Sequence, residues 1–237
     1  MPRLARLDAP GVLHHIMIRG IERRKIFRND RDREDFLQRI SKILPQTETA
    51  CYAWVLIPNH AHLLLRTGLA PISLIMRRLL TGYAIGFNHR HHRHGQLFQN
   101  RYKSVVCQED AYLKELVRYI HLNPVRAGII PGMEELNGYP YCGHSALIGA
   151  EERPWQDVQY VLRYFGATAD RSKKAYLRFV EKKISQGARE DLTGGGLIRS
   201  AGGWAEVKDL KWNGHGMSDE RILGDSAFVE NLLSRAE

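Results

Sequence analysis

The first 130 residues carry an apolar pattern that predicts alternating strands and helices. Continuous or alternating apolar runs, rich in β-branched and aromatic residues, predict strands at 14–20, 50–57, 60–66 and 103–107. Apolar positions spaced three and four residues apart predict amphipathic helices over 30–44, from 71 onward and from 110 onward. The order β-α-β-β-α-β-α predicts an α+β fold, a ferredoxin-like antiparallel sheet with helices on one face.

The pattern changes after Pro154, where apolar residues occur only at helical spacing. Three further helices are expected, at 155–165, 171–184 and 219–233. A chain of 237 residues can hold one good-sized domain and an appendage, or two small domains. We therefore predict a main domain at residues 1–150 and a small C-terminal helical extension at 151–237.

The excess of positive over negative charge lies entirely in the main domain. The net charge is +9; residues 1–150 hold 21 Lys and Arg against 12 Asp and Glu, and residues 151–237 hold 14 of each. A basic domain attracts polyanions, and neutralised phosphates supply most nonspecific affinity for nucleic acids. A basic surface without a nucleic-acid partner remains the alternative at this point.

No apolar run reaches the roughly eighteen residues that span a bilayer, so no membrane partner is expected. Cys51, Cys107 and Cys142 are odd in number and widely spaced, which argues against a disulfide framework or a zinc site. We expect a cytoplasmic protein.

Two short segments contain candidate chemistry. His60 and His62 begin the strand at 60–66, and side chains two apart on a strand point to the same face. In the helix from 110, Tyr119 and Asn123 are four residues apart and share one face. Two imidazoles, a phenol and an amide oxygen suit a metal-assisted attack on a phosphate with Tyr119 as nucleophile.

Histidines on strands and tyrosines on helices are more often structural. Attack by a tyrosine on a phosphate nevertheless has a physical reason to involve a metal ion. A free phenol has a pKa near 10 and is a poor nucleophile at neutral pH. A divalent cation on a phosphate oxygen withdraws charge, and Mg²⁺ or Mn²⁺ accepts such oxygen and imidazole ligands. The expected product is a 5′-phosphotyrosine with a free 3′-hydroxyl. Tyr112, seven residues before Tyr119, is the rival nucleophile.

Three ordered motifs carry a resemblance that covers roughly residues 10–145. They are Trp54-Val55-Leu56-Ile57-Pro58-Asn59-His60-Ala61-His62, Gly95-Gln96-Leu97-Phe98-Gln99-Asn100-Arg101-Tyr102-Lys103-Ser104 and Tyr119-Ile120-His121-Leu122-Asn123-Pro124-Val125-Arg126-Ala127-Gly128. With them the chain resembles the IS200/IS605-like single-tyrosine (HUH, Y1) transposases, and more narrowly their REP-associated tyrosine transposase branch.

The resemblance implies a transposase that cleaves and joins single-stranded DNA beside hairpins or palindromic repeats of a bacterial chromosome. It implies His60 and His62 as metal ligands and Tyr119 as the nucleophile. Asn123 stands where the transposase branch has a glutamine, and the REP-associated branch resembles the present pattern. A position at the nucleoid is implied. A homodimer is common among these transposases, whereas REP-associated relatives can act as monomers.

Six basic side chains are candidates for DNA contact. They are Arg23, Arg24, Arg90, Arg93, Arg101 and Lys103. The first two follow the first strand, where a solvated turn is equally consistent, and the next two lie in the histidine-rich end of the second helix. That tract, residues 89–94, could instead bind metal. His14 and His15 are expected to be structural, and His121 is given no role.

Two competing functions keep the same fold without the cleavage chemistry. One is a catalytically inactive nucleic-acid-binding module, which the intact His60, His62, Tyr119 and Asn123 argue against. The other is an RNA-binding domain, which needs exposed aromatics on the sheet. Only Tyr52 and Trp54, expected on one face of the second strand, could serve there.

Overall fold

A computed structural model of the chain describes residues 7–184 and 221–236. In these residues five strands form one sheet: β1 Leu13–Arg19, β2 Ala50–Ile57, β3 His60–Arg66, β4 Lys103–Cys107 and β5 Ile222–Leu223. The helices of the first half are α1 Asp30–Gln46, α2 Ile72–Arg90, α3 Glu109–His121 and α4 Asn123–Arg126. Those that follow are α5 Met133–Asn137, α6 Gly143–Ile148, α7 Val158–Arg163, α8 Ala169–Glu181 and α9 Ser226–Ala236.

The sheet has the strand order β2-β3-β1-β4-β5. The first four strands are antiparallel to their neighbours, and β5 pairs parallel to β4 through Val106–Ile222 and Cys107–Leu223. The prediction of an α+β fold with a ferredoxin-like sheet is confirmed, whereas the helices lie on both faces of the sheet rather than on one. The fifth strand was not predicted, because two residues carry no readable period.

Both faces of the sheet are covered. Helices α1 and α2 pack on one face, against Ala61, Leu63 and Leu65 of β3. Helix α3 and the segments after it pack on the other face, around Leu64. His60 and His62 share the face of Leu64, because side chains two apart on a strand point the same way. The candidate site therefore lies between the sheet and α3.

The expectation that Tyr52 and Trp54 share a face is wrong. The pairing of β2 with β3 shifts register between Cys51 and Ala53, and such a bulge breaks the alternation of side chains. Tyr52 joins the core beneath α3, whereas Trp54 joins the core beneath α1 and α2. Both are buried, at 2% and 0% exposure, so neither offers the exposed aromatic face of an RNA-binding sheet.

Helices α7 and α8 pack on the core around α3. Helix α7 is shorter than the expected 155–165, because Asp157 caps its start by accepting a hydrogen bond from the Tyr160 amide at 2.9 Å. The last helix begins at Ser226 rather than 219, since residues 222–223 form β5 and Asp225 accepts from the Phe228 amide at 2.8 Å. Residues 219–220 of that expected helix lie outside the described residues.

No helix within residues 7–184 or 221–236 is long and apolar enough to cross a membrane. Cys51, Cys107 and Cys142 are all buried and free.

Candidate active site

His60 and His62 lie side by side at the start of β3. Their ring centroids are 5.1 Å apart, as the alternation of a strand requires for residues two apart. His60 follows the Pro58–Asn59 turn and is partly exposed, whereas His62 is 4% exposed beneath its neighbours. The pair thus places one partly exposed and one covered imidazole on the same face of the sheet.

A hydrogen bond fixes the tautomer of His60. Its Nδ1 lies 2.8 Å from Oδ1 of Asn59, an acceptor, so Nδ1 carries the proton and Nε2 keeps its lone pair. Burial, with a smaller contribution from Arg19, lowers the pKa of His60 to about 4. The ring is therefore neutral at pH 7, which is the form that binds a metal ion.

His62 is held by a third histidine, His15, for which the sequence predicted only a structural role. Nε2 of His15, on β1, lies 2.9 Å from Nδ1 of His62, and the two rings stack at 5.1 Å. Burial above all lowers the pKa of His62 well below its usual value and that of His15 to about 3. When Nδ1 of His62 donates to His15, Nε2 of His62 keeps a lone pair for a ligand.

Tyr119 of α3 lies against both buried imidazoles. Its ring meets those of His62 and His15 edge-on, at centroid distances of 5.8 and 5.9 Å. The side chain is 8% exposed. Burial raises the pKa of Tyr119, opposed by the nearby guanidinium groups of Arg126 and Arg19, so the phenol is protonated at neutral pH.

Asn123 stabilises the end of the helix that carries Tyr119. Its Nδ2 donates to the Tyr119 carbonyl at 2.8 Å and to the Ile120 carbonyl at 3.4 Å. These carbonyls belong to the last turn of α3, which lacks intrahelical partners. With the amide nitrogen so used, Oδ1 of Asn123 is the group left for a ligand.

The donor chemistry of the site suits a divalent cation. No cluster of three or more His, Cys, Asp and Glu side chains able to hold a metal occurs in the described part of the chain. A metal site here would rest on His60, His62 and the oxygen of Asn123. Two neutral imidazoles and one amide oxygen leave coordination positions open for a phosphate.

Arg126 is a second residue that sequence reasoning missed. Its guanidinium carbon lies 5.4 Å from the centroid of the Tyr119 ring, and burial above all lowers its pKa. Its Nη1 is buried with no hydrogen-bond partner among the described residues. Arg126 follows Tyr119 by seven residues, two helical turns, and that spacing was the signal available in the sequence.

A basic pocket adjoins the turn that carries His60. It is a cavity of about 270 Å³, lined by Ile21, Arg24, Lys25, Arg28, Arg93 and Leu97. The segment from 20 to 28 is fastened to that turn, because the amides of Ile26 and Phe27 donate to the Pro58 carbonyl at 2.8 and 3.0 Å. Two of the predicted DNA-contacting residues, Arg24 and Arg93, therefore meet in one pocket, together with Lys25 and Arg28.

The other four predicted DNA-contacting residues do not line that pocket. Arg90 donates from Nε to Asp32 at 3.1 Å and from Nη1 to Asp35 at 2.9 Å, so two carboxylates balance its charge. Arg23 is exposed in the turn after β1, Lys103 is exposed on β4, and Arg101 lines a groove beside α2. The structure thus places them at separate positions rather than in one cluster.

Comparisons with known proteins agree with this architecture. Residues 10–123 match the sequence profile of the family described as "Transposase IS200 like". One similar solved structure is that of a REP-associated tyrosine transposase bound to a REP hairpin. Its sequence is 19% identical to this one, the TM-score is 0.52, and the match covers 67% of this chain and 90% of that one.

A candidate transposase from Deinococcus radiodurans R1 is 17% identical, with a TM-score of 0.35, over 50% of this chain and 95% of that one. No curated protein matches the chain. The first of the two solved structures shows a shared fold.

Proposed function

Residues 10–123 of the chain belong to the IS200-like transposase family, and from this premise we propose that the protein cleaves and rejoins single-stranded DNA beside hairpins through Tyr119. One observation carries the proposal. The Tyr119 ring lies 5.8 Å from the ring of His62, which is itself 5.1 Å from the ring of His60. The nucleophile and the two ligand candidates, separated in sequence, lie together between the sheet and α3.

In the proposed cleavage step, the phenol oxygen of Tyr119 bonds to the phosphorus of the scissile phosphodiester. The bond between phosphorus and the 3′ oxygen breaks. The phenol proton passes to solvent, and the departing 3′ oxygen takes up a proton. The products are a 5′-phosphotyrosine and a free 3′-hydroxyl, and attack by another 3′-hydroxyl reverses the step and joins strands.

The residues around Tyr119 have distinct parts in this proposal. His60, His62 and Oδ1 of Asn123 would hold Mg²⁺ or Mn²⁺, which when bound withdraws charge from the scissile phosphate. Arg126 offers the unpartnered Nη1 to a phosphate oxygen beside the phenol. The raised pKa of Tyr119 keeps the phenol protonated until it is placed against phosphorus.

The DNA strand would run from Tyr119 and the two histidines across the basic pocket. Arg24, Lys25, Arg28 and Arg93 place four cations around one cavity, and Ile21 and Leu97 contribute apolar surface. Glu22, 2.7 Å from Arg24, offsets one of these charges. Backbone phosphates neutralise such a cluster without reading sequence. The hairpin of a palindromic repeat on the bacterial chromosome is the proposed substrate, which puts the protein at the nucleoid.

The deciding experiment compares wild type with Tyr119→Phe on single-stranded hairpin oligonucleotides taken from repeats that flank the gene. Each reaction contains Mn²⁺, Mg²⁺ or excess chelator, and covalent protein–DNA adducts are separated on denaturing gels. We expect an adduct with wild type and either metal. We expect none with Tyr119→Phe and none with chelator, whereas hairpin binding persists in both.

Tyr112→Phe is the matched control, because Tyr112 is a buried tyrosine of the same helix at 6% exposure. It should form the adduct as wild type does. An adduct that survives in Tyr119→Phe would assign the nucleophile elsewhere. Binding of every flanking hairpin by wild type without cleavage would instead favour an inactive DNA-binding module. Sedimentation of the hairpin complex tests the homodimer that the proposal allows.

A further inference from the structure

A buried chain of hydrogen bonds ties α8 to the end of α3. Oη of Tyr176, in α8, lies 2.7 Å from Nδ1 of His121 and 2.7 Å from Nδ1 of His144. Nε2 of His144 lies 2.9 Å from Oδ1 of Asn137 and so donates to it. Tyr176 therefore donates to His144 and accepts from His121, and each of these three bonds has one donor and one acceptor.

The network is fully buried and uncharged. Tyr176, His121 and His144 are each 0% exposed. Burial lowers the pKa of His144 to about 4 and that of His121 well below its usual value, so both imidazoles are neutral at pH 7. A buried polar group that loses its partner bears the full cost of desolvation, so this network favours a single position of α8 against α3.

A second contact joins the two helices one turn away. The guanidinium of Arg118, at the centre of this contact, lies 4.1 Å from the centroid of the Phe179 ring and donates to the Phe179 carbonyl at 3.4 Å. Arg118 also pairs with Glu115 in its own helix. Arg118 is 8% exposed, and desolvation strengthens a contact between a cation and an aromatic face.

The two contacts bracket the candidate nucleophile. Arg118 immediately precedes Tyr119, and His121 is the last residue of α3. The last turn of a helix is the part that frays, because its carbonyls lack intrahelical partners. Asn123 satisfies two of those carbonyls, and α8 holds the side chains on either side of Tyr119.

We propose that Tyr176 and Phe179 of α8 are positioning residues, which fix the last turn of α3 so that the Tyr119 hydroxyl faces His60 and His62. This inference rests on the proposed role of Tyr119. It assigns a catalytic purpose to a helix that lies outside the segment matched by the family, residues 10–123. Placement matters in such a reaction, because a misplacement of about 1 Å costs about a hundredfold in rate.

The test separates positioning from a general loss of stability. Tyr176→Phe removes only the shared hydroxyl, and Phe179→Leu removes the aromatic face beneath Arg118. Phe179→Tyr keeps that face and is the conservative rescue. Tyr160→Phe is the matched control, because the Tyr160 hydroxyl bonds to Glu109 of α3, about 15 Å along the helix from Tyr119.

Single-turnover cleavage and hairpin affinity are measured for each full-length variant. We expect Tyr176→Phe and Phe179→Leu to lower the cleavage rate by about tenfold to a hundredfold. Hairpin Kd should stay within about threefold of wild type, because the basic pocket is untouched. Phe179→Tyr and Tyr160→Phe should cleave at the wild-type rate. Equal losses in Tyr176→Phe and Tyr160→Phe would overturn the inference.

A second readout does not depend on cleavage. With 3-fluorotyrosine placed at position 119, the ¹⁹F resonance should be single in wild type and broadened or split in Tyr176→Phe and Phe179→Leu. An unchanged resonance in both variants would overturn the positioning role. If wild type forms no adduct, the proposed function fails, and the ¹⁹F spectra still decide whether α8 fixes the position of residue 119.

Discussion

Nε2 of His15 lies 2.9 Å from Nδ1 of His62, across two adjacent strands of the sheet. In the pairing of β1 with β3, His15 faces Leu64 and Met17 faces His62, so the two histidines are diagonal neighbours on one face. A partner of this kind sets which nitrogen of a ligand histidine keeps its lone pair. His15 is therefore part of the candidate metal site although it would touch no metal.

Replacing His15 tests this relationship directly. His15→Leu should weaken Mn²⁺ binding by about tenfold to a hundredfold, the usual effect of removing the partner of a ligand histidine. His15→Gln, which keeps an acceptor oxygen, should retain most of the affinity. Calorimetric titration of Mn²⁺ into each protein measures the difference. Equal affinities for wild type and His15→Leu would show that His62 needs no such partner.

Arg126→Gln should slow cleavage by about a hundredfold while leaving hairpin affinity nearly unchanged. The reason is that a buried donor beside the developing charge acts chiefly in the transition state, where the loss of one donor costs about 10²–10³. The measurement is the single-turnover rate with its paired Kd. Arg163→Gln is the control. Arg163 lies over the Tyr160 ring at 4.7 Å, and Tyr160 bonds to Glu109 at the opposite end of α3 from Tyr119. A parallel loss in both variants would contradict the assignment.

Local periodicity was sufficient to predict the first four strands, the main helices and the facing pairs of the site. His60 with His62 follows from the alternation of a strand, and Tyr119 with Asn123 from the spacing of a helix. What it could not give are contacts between distant segments. His15 reaches His62 only through the pairing of β1 with β3, which no local pattern specifies.

The charges of α2 show the same limit. The basic, histidine-rich end of this helix indicated phosphate contact, and contact by Arg90 stays a prediction. The Arg90 guanidinium donates hydrogen bonds to Asp32 at 3.1 Å and to Asp35 at 2.9 Å, both at the start of α1. Only the packing of α1 on α2 brings these groups together. Arg93, three residues later, lines the basic pocket.

The protein should lose stability as the pH falls from about 6.5 towards 4, in part because of His144. Burial lowers its folded-state pKa to about 4, whereas an unfolded histidine has a pKa near 6.5. Between these values the unfolded state binds the additional proton, so the free energy of unfolding decreases as pH decreases. The loss from His144 is at most about 3 kcal/mol.

Urea unfolding between pH 7 and pH 4 measures this effect. His144→Gln should be less stable than wild type at pH 7 and should show a flatter dependence on pH. The plots of unfolding free energy against pH for the two proteins should converge towards pH 4, where the neutral His144 imidazole no longer favours the folded state of the wild type. Curves that stay parallel over this range would mean that His144 does not contribute.

The basic pocket predicts how hairpin affinity responds to salt. Each phosphate neutralised by a cation releases counterions, so log K falls with log salt, and removing one phosphate contact lowers the slope by about one. Lys25→Gln and Arg28→Gln should each flatten the slope by about that amount, at every hairpin sequence alike. A cation–π contact also holds Arg28, whose guanidinium lies 5.5 Å from the Phe87 ring centroid.

Lys42→Gln is the charge-matched control for these two variants, because Lys42 is exposed about 18 Å along α1 from Asp30, where that helix begins after Arg28. Its slope should equal that of wild type in a fluorescence titration of labelled hairpin from 50 to 300 mM salt, about the range where such slopes are well determined. A slope lowered equally by all three substitutions would reflect net charge alone. In that case the phosphates would be bound elsewhere, and Arg101 and Lys103 would be the next residues to substitute.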